Sequence, residues 1–350
     1  MKWNIVPVSL LALILATPAL AGDYRGPIID AHTHSGEGVE TFLPAGPPNH
    51  YCHDPFEFVD PTAAPMKRAK PSLDDIIRCN GKVMTSPMTD DDFRRKTMAE
   101  WQKNNFVLGY NSDTDIARMD KWAAESPMPL VPALLVHTGG PSPEQARELV
   151  KAGKLKMIGE IAVQYNGLGP ADPYLDPYYA IAREFDLPVG VHIGLGAPGN
   201  NYIGYSEVNG YKADVGRPLA MEGVLRKYPG LRLYVMHAGW PHLEEMIHLL
   251  YQHPQVYVDI SMINWTIPRK EFHRYLKQLV DAGFASRLMF GTDNAAWPEA
   301  VSEGVDAINA AEFLTDQQKA DIFFNNAIRF FRLDPKQVLA GARGKTRTGY

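Results

Sequence analysis

The sequence predicts an α/β chain folded as a (β/α)8 barrel, with loop insertions after strands one and five. Eight short apolar runs recur along the chain, amphipathic helical segments separate most of them, and histidines and carboxylates gather where the runs end. Alternating strand-like and helix-like segments are the signature of parallel βα units. In order, the expected strands are Ile28 to His34, Phe106 to Tyr110, Leu130 to His137, Met157 to Gln164, Pro188 to Gly194, Leu231 to Gly239, Val256 to Met262 and Arg287 to Asn294. Helical segments are expected at Asp176 to Phe185, Arg217 to Tyr228, Pro241 to Gln252 and Arg269 to Gly283. Eight such strands suit a closed barrel. An open doubly wound sheet would place a glycine-rich phosphate turn after an early strand, whereas the first run here ends in His32-Thr33-His34.

Composition sets the outer limits. The 350 residues are 45% hydrophobic and 21% charged, an ordinary globular balance that allows a large core. A net charge of -5 and a pI near 6.1 give no electrostatic reason to expect nucleic acid, so a small-molecule substrate is the expected partner. Nothing in the sequence excludes a homo-oligomer. Residues 1–21 combine Lys2, an apolar stretch centred on Leu10 to Leu15, and Ala19 and Ala21 before Gly22. That is the layout of a secretory signal peptide, with an apolar stretch too short to span a membrane. The expectation is therefore export to a periplasm or medium, a mature barrel over residues 22–340 and no stable membrane insertion after cleavage.

Two stretches exceed a minimal barrel: Ser35 to about Glu100, rich in proline, and Gly196 to Gly216, rich in Gly, Asn and Tyr. Insertions of this length commonly form lids or binding walls near a barrel mouth. The first carries both cysteines, Cys52 and Cys79. An oxidising compartment favours their pairing, although spacing alone leaves two free thiols as the alternative. Residues 341–350 are small and basic and are expected to form a mobile tail.

The chemistry lies at the strand ends. His32 and His34 close strand one, Glu160 lies in strand four, His192 closes strand five, His237 closes strand six and Asp293 closes strand eight. Barrel strands deliver their carboxyl ends to one face, and residues i and i+2 on a strand share a side. Taken singly, each has an ordinary reading: a hydrogen-bonded histidine, a core carboxylate, or Asp293 as a helix cap. Together they would bury too many ionisable groups at one end unless a metal or a reaction used them.

Asp30-Ala31-His32-Thr33-His34, Val191-His192-Ile193-Gly194, Met236-His237-Ala238-Gly239 and Gly291-Thr292-Asp293 resemble the metal motifs of the amidohydrolase superfamily of TIM-barrel enzymes. The stretch Phe323 to Phe331 resembles the closing helix of its amidohydrolase-2 group, which includes relatives of aminocarboxymuconate-semialdehyde decarboxylase. This resemblance implies His32, His34 and Asp293 on one ion, His192 and His237 on another, and Glu160 between them. The alternative is a single ion with His237 as an acid/base group beside it. Imidazole and carboxylate donors suit zinc first, and manganese, iron or cobalt as well. The implied reaction is hydrolysis of a lactone, ester or amide by metal-activated water, with Asp293 and His237 as catalytic groups; a non-oxidative decarboxylase of a carboxylic acid is the alternative. Tyr165, Asn264, Trp265, Arg217 and Trp297 follow strand ends or the second insertion and are candidate substrate contacts, each equally suited to packing a loop.

Overall fold

The computed structural model describes residues 22–36, 39–40, 46–52, 56–60, 73–200 and 210–348. The expected signal segment, residues 1–21, lies outside the described residues, as do residues 201–209 of the second insertion. In chain order the strands begin with β1 (Ile28–His34) and the four short strands of the first insertion, β2 (His50–Cys52), β3 (Phe56–Phe58), β4 (Ile77–Cys79) and β5 (Val83–Thr85). They continue with β6 (Phe106–Asp113), β7 (Leu130–Val136), β8 (Met157–Ile161), β9 (Val189–His192), β10 (Leu233–Met236), β11 (Tyr257–Asp259) and β12 (Leu288–Met289). Eight of them form one sheet in the order β1-β6-β7-β8-β9-β10-β11-β12, and their paired neighbours run parallel. Backbone hydrogen bonds from Ala31 to Phe290 (2.9 Å) and from Asp293 to His32 (2.8 Å) tie the last strand back to the first.

The apolar runs were legible as strands because parallel barrel strands are buried on both faces. In β10, Leu233 and Val235 join the layer shared with the surrounding helices. Tyr234 and Met236 fill the interior with Ile29, Ala31, Met157 and Met289. The observed strands mostly end earlier than expected, since the ladder stops where each chain turns away at the mouth. β6 is the exception and runs on through Ser112 and Asp113. The closing segment packs into the interior cluster: Phe331 stacks on Tyr110 with centroids 3.6 Å apart, and Phe330 meets Tyr234 edge-on at 5.3 Å.

In the first insertion β2 pairs with β5 and β3 with β4, both antiparallel, and Cys52 and Cys79 form a disulfide across a 5.3 Å Cα separation. The insertion gives way earlier than expected to a helix, Asp90–Lys103, whose first turn is capped by Thr89 accepting from the Asp92 N–H. The expected tail also differs. Residues through Thr348 continue the helix Pro335–Thr348, because Ala342 is buried and Lys345 Nζ donates to the Ala123 carbonyl at 2.6 Å. No helix among the described residues is long and apolar enough to cross a membrane.

Candidate metal centre

Local backbone geometry sets the site at the strand ends. His237, directly after β10, has φ 59°, and Asp293, after β12, has φ 42°. Non-glycine residues in this left-handed region cost of order 1–3 kcal/mol each and cluster where function requires them. Gly159 precedes Glu160 with φ 143°, and a Cβ there would lie 2.7 Å from the Gly190 carbonyl oxygen. Only glycine lets β8 approach β9 closely enough to bring Glu160 beside His192. Ser112, at the extended end of β6, accepts from the Glu160 N–H and donates to the Gly159 carbonyl, both at 2.7 Å.

The six residues expected as ligands lie together. Glu160 divides its carboxylate between two histidine pairs. Oε2 lies 3.3 Å from His34 Nε2 and 3.6 Å from His32 Nε2, while Oε1 lies 2.5 Å from His192 Nδ1 and 3.5 Å from His237 Nε2. Within the pairs, His32 Nε2 and His34 Nε2 are 3.1 Å apart, and His237 Nε2 and His192 Nδ1 are 3.0 Å apart. Asp293 faces both halves, with Oδ1 3.4 Å from His34 Nε2 and Oδ2 3.9 Å from His237 Nε2. Three overlapping ligand sets result: His32, His237 and Asp293; His32, His34 and Glu160; and Glu160, His192 and His237.

Each imidazole spends its outer nitrogen on a protein acceptor. His34 Nδ1 donates to the Ser112 carbonyl (3.0 Å), His192 Nε2 to the Leu195 carbonyl (2.7 Å) and His237 Nδ1 to the Ser261 carbonyl (3.3 Å). His32 Nδ1 lies 3.2 Å from Asp259 Oδ2. In the neutral rings this fixes the tautomer that turns the other nitrogen's lone pair toward the centre, the arrangement characteristic of metal-binding histidines. Asp259 is fully buried at the end of β11. It also accepts from the His237 N–H (2.9 Å) and from the Ser261 hydroxyl (2.6 Å) through Oδ1. Sequence reasoning missed Asp259 as well as Ser112. The signal for Asp259 was present, since a carboxylate interrupts an apolar run there as Glu160 does in β8.

The electrostatics favour a cation. Burial alone would depress His34, but the Glu160 carboxylate and the charge of Asp293 outweigh it and raise the group to about 9. His32 is likewise pushed well above its ordinary range, with burial opposed by Asp293, Asp259 and Glu160. Burial works against ionisation of Glu160, yet His192 and the neighbouring imidazoles hold it well below the usual carboxylate range. The carboxylates thus demand positive charge in a largely buried site. Inward imidazole lone pairs and shared carboxylates are a donor set that fits divalent cations such as zinc or manganese.

The family model described as Amidohydrolase matches residues 29–333. The chain belongs to the amidohydrolase family. A solved structure titled as a probable 2-pyrone-4,6-dicarboxylic acid hydrolase from Acinetobacter baumannii matches over 87% of this chain and 99% of its own, at 12% identity and a TM-score of 0.53. That likeness speaks to the fold. The 5-carboxyvanillate decarboxylase of Sphingomonas paucimobilis matches over 68% of this chain and 82% of its own, at 17% identity and a TM-score of 0.48. Protein fluG of Emericella nidulans is 22% identical over 162 residues, which is 42% of this chain and 18% of that protein. The match therefore spans less than a fifth of the curated relative.

Of the expected substrate contacts, Tyr165 meets a residue of the centre through its ring. Tyr165 is half-buried with its ring 5.0 Å from that of His192, and Tyr211, from the second insertion, lies beside it at 5.6 Å. Trp265 and Trp297 pack around Tyr51 of the first insertion, with centroids 5.4 and 5.2 Å away, and donate their indole N–H groups to the carbonyls of Thr292 and Asn49. Asn264 is buried and donates to the Gly291 carbonyl at 3.0 Å. Arg217 lies on the surface, ion-paired with Glu245.

Proposed function

We propose that this amidohydrolase is an exported hydrolase that adds water to a lactone, ester or amide of a small molecule at a centre of two divalent cations, most naturally zinc. The observation that carries the reading is the Glu160 carboxylate, which presents one oxygen to His32 and His34 and the other to His192 and His237. Glu160 would be shared, His32, His34 and Asp293 would hold one ion, and His192 and His237 the other. Bound there, the cations would supply Lewis acidity, acidifying a water and polarising a substrate carbonyl. Asp293, at the mouth, takes the proton of the attacking water at a carboxylate oxygen and returns it to the leaving alcohol or amine. Asp259 and Ser261 hold His32 and His237 in orientation, and Tyr165 forms a wall for the substrate. The Cys52–Cys79 disulfide supports export, because such bonds persist in oxidising compartments.

A second reading, a single-ion decarboxylase, is favoured by the 2.5 Å approach of His192 Nδ1 to Glu160 Oε1. In that reading His192 would pair with Glu160 rather than with a second ion, and His32, His34 and Asp293 would hold the single ion. Elemental analysis of reconstituted protein separates the readings: two ions per chain are expected, falling toward one in Glu160→Gln. Saturation at one ion, with Glu160→Gln leaving content and activity unchanged, would sink the shared-carboxylate reading. A panel of lactones, esters, amides and aromatic acids turned over in ¹⁸O-water should place the label in the product. Release of carbon dioxide with no water added would establish the decarboxylase instead.

A further inference from the structure

Lys319 is only 1% exposed, and among the described residues its ammonium has no carboxylate partner, a rare state for a lysine. The metal centre makes no use of it. Its Nζ donates to two backbone carbonyls, Asn309 at 2.7 Å and Gly22 at 3.1 Å. The same neighbourhood holds the rest of the segment that leads into β1. Gly22 N donates to Asp316 Oδ1 at 3.1 Å, and Tyr24 N donates to Asn309 Oδ1 at 2.8 Å. The Tyr24 ring stacks on the buried Phe323 with centroids 5.0 Å apart and planes 15° from parallel. Gly26 permits this fold, since a Cβ there would lie 2.4 Å from the Tyr24 ring. Asn309, Asp316, Lys319 and Phe323 therefore hold Gly22 and Tyr24, largely at backbone atoms, and Gly22 is the residue that follows the Ala19-x-Ala21 pattern in the sequence.

We propose that this is a receptor for an amino terminus generated by proteolysis. Hydrolysis of the Ala21–Gly22 peptide bond by a signal-peptidase-type endopeptidase adds one water, leaving a carboxylate on Ala21 and an ammonium on Gly22. The Gly22 nitrogen changes from a neutral amide to a cation beside the Asp316 carboxylate, and a hydrogen bond between charged partners is roughly twice as strong as a neutral one. Lys319 brings a like charge close by, so Asp316 is the group that makes this position acceptable to a second ammonium. Before the cut Asp316 meets one amide N–H; after it, the receptor is complete. The inference rests on the export reading for the position of the cut and is independent of the reaction catalysed.

The test uses full-length mature protein beginning at Gly22, prepared with a free or an acetylated amino terminus, in wild-type and Asp316→Asn forms. The α-amino pKa, followed by NMR of the isotope-labelled terminus, should fall by about half a unit or more in Asp316→Asn, where the Lys319 charge is no longer answered. Acetylation should lower Tm in wild type by about 1 °C or more beyond its effect in Asp316→Asn. An unchanged pKa together with equal acetylation effects in the two backgrounds would overturn the receptor. Amino-terminal sequencing of the secreted protein tests the cut separately. Gly22 is the expected first residue, and a terminus at Asp23 or beyond would overturn the proposal even if the export reading stood.

Discussion

At its carboxyl end the barrel buries His32, His192, His237, Glu160, Asp259 and Asp293 within reach of one another, while at its amino end the same strands meet Phe330 and Phe331 packed on Tyr110 and Tyr234. The first arrangement places ionisable groups where water is scarce and holds His237 and Asp293 at positive φ, all of which costs free energy. The second buries aromatic surface, a main source of core stability. One set of strands thus carries a chemically demanding mouth on a floor that holds it in place. Substitutions at the two ends should therefore separate, with the mouth changing rate and metal content and the floor changing stability.

The sharpest separation is expected at Asp293. Asp293→Asn keeps an oxygen that can ligate but loses the proposed base, so turnover should fall by about 10²–10⁴-fold, roughly 3 to 5 kcal/mol of barrier. Metal content, measured on the same sample, should fall less. Full metal with near-normal hydrolysis would move the proton-transfer role to His237. At the opposite end, Phe331→Ala should cost about 3 kcal/mol in denaturant unfolding, because it empties the stack on Tyr110, while kcat and metal content stay near wild type. A larger loss in kcat than in stability would show that the two ends are not separable.

Between these lies the first insertion, which reaches the mouth through Tyr51 against Trp265 and Trp297. Replacing Cys52 and Cys79 together by Ala should cost about 2 kcal/mol. KM should rise more than kcat falls, since the wall loosens while the ligands stay in place. Loss of metal in this variant would mean that the insertion supports the centre itself.

How much was legible in the sequence follows the same division. The eight strands could be read because both faces of each are covered, giving apolar runs without alternation. His32, His34, Glu160, His192, His237 and Asp293 could be read because an ionisable group in such a run has no cheap reason to be there. Asp259 offered the same signal and was passed over in a run that looked complete without it. Ser112 was lost because β6 was expected to end at Tyr110, and Asn111, Ser112 and Asp113 look like a turn when tertiary contacts are ignored. The packing of Trp265 and Trp297 was not legible. Whether an indole faces substrate or donates to a carbonyl, as those of Trp265 and Trp297 do, depends on how an insertion folds over the mouth.

The smallest effect is expected at Arg217. By residue type and position it was a candidate to hold a substrate carboxylate, and a guanidinium in that role typically contributes a charge-assisted bidentate contact. Its side chain is 59% exposed and its guanidinium is occupied by Glu245, so to reach a substrate it would first have to break that pair. An exposed ion pair contributes little to folding, and the guanidinium of Arg217 is directed to Glu245. Arg217→Ala should therefore leave kcat/KM within about twofold for substrates with or without a carboxylate, and Glu245→Ala should do the same. If Arg217→Ala raises KM tenfold or more for carboxylate-bearing substrates alone, and Glu245→Ala lowers it, then Glu245 restrains an arginine that swings into the mouth. The boundary of the active end would then have to be redrawn to include that pair.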